Sequence, residues 1–144
     1  MKQLKWASFR LVMLTAAVGI ALAGCAGKGL TPKNAPPQFL CAVDNNVDMD
    51  IEGAVQLEDF TCSFKKYEGA EYLHFNVTLK NISKQPQRYR VNIFLDEDRA
   101  VGGLIPSSTS KGLVEPGTTA SFTYPVKGAD RQPREVLLKI RPVD

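Results

Sequence analysis

Histidine, tryptophan and cysteine are scarce in this 144-residue chain, which holds one, one and three of them. Each scarcity excludes something. General acid–base catalysis near neutral pH relies most often on histidine, and the only candidate, His74, falls on the polar side of an alternating pattern, where an exposed strand residue is expected. Structural zinc needs three or four Cys or His ligands at close spacings, more than the chain supplies. Aromatic residues make up 8% of the chain and no basic stripe interleaves them, so there is no footprint for nucleic acid. No acidic residue precedes Asp44, while Lys2, Lys5 and Arg10 supply three of the 18 basic residues; beyond them 15 bases face 15 acids. The longest apolar run, from Leu11 to Leu22, has twelve residues, too few for a transmembrane helix of about 20. The length itself allows one domain of ordinary composition and excludes a multidomain enzyme.

What is present begins with an address. A basic stretch ending at Arg10, the apolar run and a small-residue stretch follow one another in the order of a secretory signal. The sequence Leu22-Ala23-Gly24-Cys25 that closes it resembles the lipobox of bacterial lipoproteins. In that family the Cys thiol takes a diacylglycerol and becomes the new N-terminus after cleavage. The resemblance implies a signal peptide over residues 1–24 and acylation of Cys25. Each buried methylene of the acyl chains adds about 0.8 kcal/mol, so two or three chains hold a protein at a bilayer. It also implies a sorting rule in which Asp after the lipidated Cys retains the protein at the inner membrane. Ala26 stands there instead, which points to the periplasmic face of the outer membrane.

Residues 25–38 carry Gly27, Gly29, Pro32, Pro36 and Pro37 without apolar periodicity and are expected to form a flexible tether. With Cys25 consumed by lipid, Cys41 and Cys62 remain in an oxidising compartment. The even remainder suggests a disulfide, with two unpaired thiols as the alternative.

From residue 39 to 144 the dominant period is two. Leu73, Phe75, Val77 and Leu79 alternate with polar residues, as do Tyr89, Val91, Ile93 and Leu95; Ala120, Phe122, Tyr124 and Val126; and Val136, Leu138 and Ile140. Val55, Leu57, Phe60, Cys62 and Phe64 form an earlier set with a slip after Leu57, the mark of a bulge. Breakers separate the runs, among them Glu68-Gly69, Gly102-Gly103 and Pro116-Gly117. No window carries a helical stripe. The pattern predicts an all-β protein, a single antiparallel immunoglobulin-like β-sandwich.

Val77-Thr-Leu-Lys-Asn81-Ile-Ser83, Arg90-Val-Asn-Ile-Phe-Leu-Asp96 and Leu113-Val-Glu-Pro116-Gly117 followed by Phe122 resemble the FxLYD-type immunoglobulin-like domains and the small YcfL-type lipoproteins of bacteria. Asp96 matches the final residue of the motif; Asn92, Phe94 and Leu95 occupy the positions of its name-giving residues. The resemblance implies that the strand ending at Ser83 and the one starting at Arg88 lie in opposite sheets, with a simple hairpin as the competing arrangement.

No catalytic constellation is found: Ser107 to Ser110 lack a nucleophile elbow or an S-x-x-K arrangement. No cofactor and no metal site are expected. Residues 44–52 carry Asp44, Asp48, Asp50 and Glu52, but Met49 and Val55 stand where an EF-hand needs Gly and Glu. Met49 and Ile51 are expected to pack inward, with the acids outward. Asn76-Val-Thr78 and Asn81-Ile-Ser83 match the glycosylation sequon by accident. Phe94 falls on the solvent face of its strand, either capping the core edge or marking a recognition patch. The expected function is that of a non-enzymatic, membrane-anchored lipoprotein, held by acylated Cys25, that binds or scaffolds an envelope protein through loops 102–116 or 128–133. A small-ligand or calcium binder using residues 44–52 is the alternative.

Overall fold

The computed structural model describes residues 28–106 and 112–143. Seven strands follow a short 3-10 turn at Val43–Asn45: β1 (Val47–Ile51), β2 (Val55–Tyr67), β3 (Ala70–Asn81), β4 (Arg88–Leu95), β5 (Arg99–Ile105), β6 (Thr119–Val126) and β7 (Val136–Val143). They form two sheets, β1-β7-β4-β5 and β2-β3-β6, packed face to face. This is the all-β sandwich that the alternation predicts. The chain passes between the sheets after β3, so β3 and β4 do not form a hairpin. Hairpins occur instead at β2–β3 and β4–β5. The first turns at Glu68 and Gly69, both with positive φ, the twist that suits a two-residue hairpin loop.

The core follows from the period. Leu73, Phe75, Val77 and Leu79 on β3 face Tyr89, Val91 and Ile93 on β4 and Leu138 and Ile140 on β7, all essentially without exposure. Phe60 stacks on Phe75 with ring centroids 5.6 Å apart. The expected slip is present: Leu57 pairs with Leu79 and Asp59 with Thr78, leaving Glu58 bulged so that Leu57 and Phe60 face the same way.

Several expectations are corrected. Two strands were not foreseen. β5 runs through Gly102-Gly103, where breakers were expected, because the backbones of β4 and β5 approach so closely that a Cβ on Gly102 would overlap the Val91 carbonyl. β1 pairs with β7 in parallel, whereas the other four ladders are antiparallel. Met49 on β1 is 54% exposed rather than packed inward, since β1 is the outermost strand of the wider sheet and little of the opposite sheet reaches it.

The segment expected to be a flexible tether is docked from Leu30 onward. The side chain of Gln132, itself buried, accepts from the Leu30 N–H at 3.1 Å and donates to the Leu40 carbonyl at 2.7 Å, and the Gln132 N–H donates to the Leu30 carbonyl at 2.7 Å. Leu30 and Ala35 pack against the core, and Phe39 adds a bridge to the outer edge of β2 at Cys62. A glycine- and proline-rich stretch lacks regular structure, but nothing in its composition reveals a partner 92 to 102 residues away.

Odd-numbered strands run one way and even-numbered strands the other, so the sandwich has two distinct ends. At one end lie Lys28, the turn at Val43–Asn45, the β2–β3 and β4–β5 turns and the β6–β7 connection. At the opposite end lie the β1–β2, β3–β4 and β5–β6 connections and the finish of β7.

Candidate functional site

Cys25, the expected lipidation site, lies outside the described residues, as do Ser107 to Lys111 of the first candidate loop. The two other cysteines form a disulfide between Cys41, on the docked N-terminal segment, and Cys62 in the middle of β2, with Cα atoms 5.0 Å apart. Both are buried, and Phe39 packs on Phe64 beside them at 5.1 Å. The bond therefore clips the N-terminal segment to the outer edge of the three-stranded sheet. It also blocks part of an edge that would otherwise offer unpaired backbone groups.

The acidic segment does not form a cage. Asp44 sits in the 3-10 turn at one end, whereas Asp50 and Glu52 lie at the far end of β1, next to β7. Arg141 reaches across to them, at 2.6 Å from Asp50 and 3.4 Å from Glu52, and Lys139 lies 3.9 Å from Asp50. The hydrogen bond and charge of the Arg141 guanidinium hold the Asp50 carboxyl below its ordinary value of 3.8. Among the described residues no group of three His, Cys, Asp or Glu side chains converges. Two of the four acids of the segment, Asp50 and Glu52, are already paired with bases in β7.

His74 is corrected from exposed to buried, at 6% exposure. It does point away from the core, as the alternation requires, but Ser63 and Pro125 flank it in register and the Tyr67 ring meets it edge-on at 6.2 Å. Its Nδ1 donates to the Tyr72 carbonyl at 2.8 Å, since a carbonyl oxygen only accepts. Around it the outer face of this sheet carries hydroxyl and amide side chains bonded to one another: Thr123 to Asn76 at 3.1 Å and Thr78 to Ser121 at 2.7 Å. His74 is a packed member of that face, without a nucleophile among its hydrogen-bond partners.

Phe94 lies on the outer face of the four-stranded sheet, 42% exposed, paired in register with Leu137 and with Lys139 Nζ 5.9 Å from its ring centroid. It does not cap the core.

The end opposite Lys28 is organised by a residue that the sequence offered only as part of an accidental sequon and of the family resemblance. Asn81 is fully buried, and its side-chain amide donates to the carbonyls of Gln85 and Val114 at 2.8 and 2.7 Å while accepting from the Ser83 N–H at 2.8 Å. Its backbone bonds to Thr118 and Gly117. One side chain thus ties the β3–β4 connection to the β5–β6 connection. The Asn-Ile-Ser triplet carried the local part of this signal, an Asx turn onto Ser83. Ile82 and Leu113 stand exposed at this end, at 51% and 46%.

The candidate loops therefore lie at opposite ends. The first is shortened by β5 to residues 106–118, at the end away from the N-terminal segment; loop 128–133 lies beside Lys28. No family model matches the chain, and comparison with curated proteins and with solved structures found no match.

Proposed function

We propose that this protein is a non-enzymatic bacterial lipoprotein, held by acylated Cys25 at the periplasmic face of the outer membrane, whose β-sandwich binds or scaffolds another envelope protein. The observation that carries the reading is the odd cysteine. Cys41 and Cys62 pair with each other, so Cys25 is the one cysteine without a partner in that bond, and it closes Leu22-Ala23-Gly24-Cys25 behind a twelve-residue apolar run. A disulfide between buried cysteines suits an oxidising compartment, which agrees with export. The calcium-binding alternative loses its support from the pairing of Asp50 and Glu52 with Arg141.

Sandwich domains engage partners through end loops and exposed strand edges. Loop 106–118, braced by Asn81 and carrying exposed Leu113 beside exposed Ile82, is the candidate for such a surface. Crosslinking in intact cells, followed by capture of this protein, is expected to recover one recurring envelope protein that disappears when residues 106–116 are replaced by a Gly/Ser stretch. Recovery of only abundant neighbours, unchanged by the replacement, overturns the scaffold reading. Cys25→Ser is expected to leave the unprocessed precursor and abolish membrane fractionation of the mature form.

A further inference from the structure

We infer that the end of the sandwich carrying Lys28, Asp44, Glu97, Asp130 and Arg131 stands directly on the lipid headgroup layer, with the long axis of the sandwich along the membrane normal. This rests on the lipid-anchor reading and deepens it. The argument is one of chain length. A free tether from Cys25 to Phe39 spans fourteen residue steps and reaches nearly 50 Å at about 3.5 Å per step, enough for any orientation. The docked structure leaves far less. Gln132 holds both backbone groups of Leu30, so only five steps, about 17 Å of fully extended chain, separate the acylated residue from a fixed point of the domain. A headgroup region some 5–8 Å deep takes up part of that reach, leaving at most about 10 Å between the domain and the lipid surface even with the connector fully extended.

The side chains there suit such a surface. Lys28, Arg131 and Arg134 lie among Asp44, Asp96, Glu97, Asp130 and Glu135 around a shallow depression, and Arg131 pairs with Asp130 at 3.6 Å. A surface of mixed sign complements zwitterionic headgroups, which carry both charges themselves, and its acidic excess gives it no attraction of its own to anionic lipid. Orientation then comes from the short connector. The other end lies a strand length away: β3 has 12 residues, about 40 Å at 3.3 Å per residue. Loop 106–118 and Ile82 consequently face the aqueous compartment, and of the two candidate loops only this one is open to a partner in that compartment.

The test uses full-length protein purified with its lipid and placed in phosphatidylethanolamine–phosphatidylglycerol vesicles that contain a headgroup-bound nitroxide quencher. Asp130→Cys and Ile82→Cys, each labelled with a small fluorophore, report the two ends. Quenching several-fold greater at position 130 than at 82 is expected, and a twelve-residue Gly/Ser insertion after Gly27 is expected to abolish the difference. Equal quenching at both positions in acylated protein overturns the orientation, and a difference that survives the insertion overturns the short connector as its cause, in either case leaving the anchor intact. An intact mass without acyl chains in protein from the native cell overturns the anchor, and the orientation with it.

Discussion

The side-chain amide of Asn81 donates to the carbonyl of Val114 at 2.7 Å, joining two connections that are 33 residues apart in the chain. Three side-chain hydrogen bonds made by one fully buried amide are costly to lose, because an unsatisfied buried group costs about 1–3 kcal/mol.

Asn81→Leu is therefore expected to lower stability by about 2–4 kcal/mol, read as a fall in the urea midpoint at unchanged slope. Asn81→Asp keeps the shape but turns the donors into an acceptor facing two carbonyls, and is expected to cost at least as much. A wild-type midpoint in either variant would show that the amide does not organise this end.

Cys41 and Cys62 close a loop of 21 residues, worth about 3 kcal/mol in the chain-entropy account. The Cys41→Ala, Cys62→Ala double variant is expected to lose about that amount by denaturant unfolding. Faster amide exchange at Phe39, whose N–H donates to the Cys62 carbonyl at 2.9 Å, is expected to accompany it.

Tyr124 projects from β6 into the core at 2% exposure, and its hydroxyl has no hydrogen-bond partner among the described residues. Removing it with Tyr124→Phe is expected to stabilise the fold by about 1 kcal/mol. Burial raises the phenol above its ordinary value of 10.0, so the neutral form is favoured in the folded state. That contribution is full below pH 10 and is lost as pH rises through the folded value. Stability in the variant is expected to decline less above pH 10, and ultraviolet titration is expected to lose its latest-ionising component.

Asp50 behaves in the opposite sense. Its hydrogen bond from Arg141 lowers its carboxyl, so the associated stability is present above the ordinary 3.8 and is lost as pH falls through the lowered value. Asp50→Asn is expected to remove that part of the acid transition in thermal unfolding followed from pH 5 to pH 2. Saturating calcium at neutral pH is expected to leave the melting temperature of the wild-type protein unchanged; a rise would return residues 44–52 to consideration as a cation site.

The sequence alone determined the class of fold, because alternation in Leu73 to Leu79 and Tyr89 to Leu95 is a direct imprint of a sheet with one buried face. It also carried the bulge after Leu57, since a break in the period must be absorbed by an extra residue. The pairing of Cys41 with Cys62 was legible by subtraction of Cys25. Other features belong to tertiary structure. Gly102-Gly103 reads as a breaker until β4 lies against it, and β1 is too short and acidic to announce a strand before β7 offers it a ladder and Arg141 a charge. Local pattern places His74 correctly on the outer face but says nothing of the Ser63, Tyr67 and Pro125 side chains that cover it. The same holds for Leu30. Whether a chain segment is a tether or a docked strap depends on hydrogen bonds to Gln132, a hundred residues away, and contacts at that separation leave no periodicity in sequence because they involve single residues rather than repeating faces.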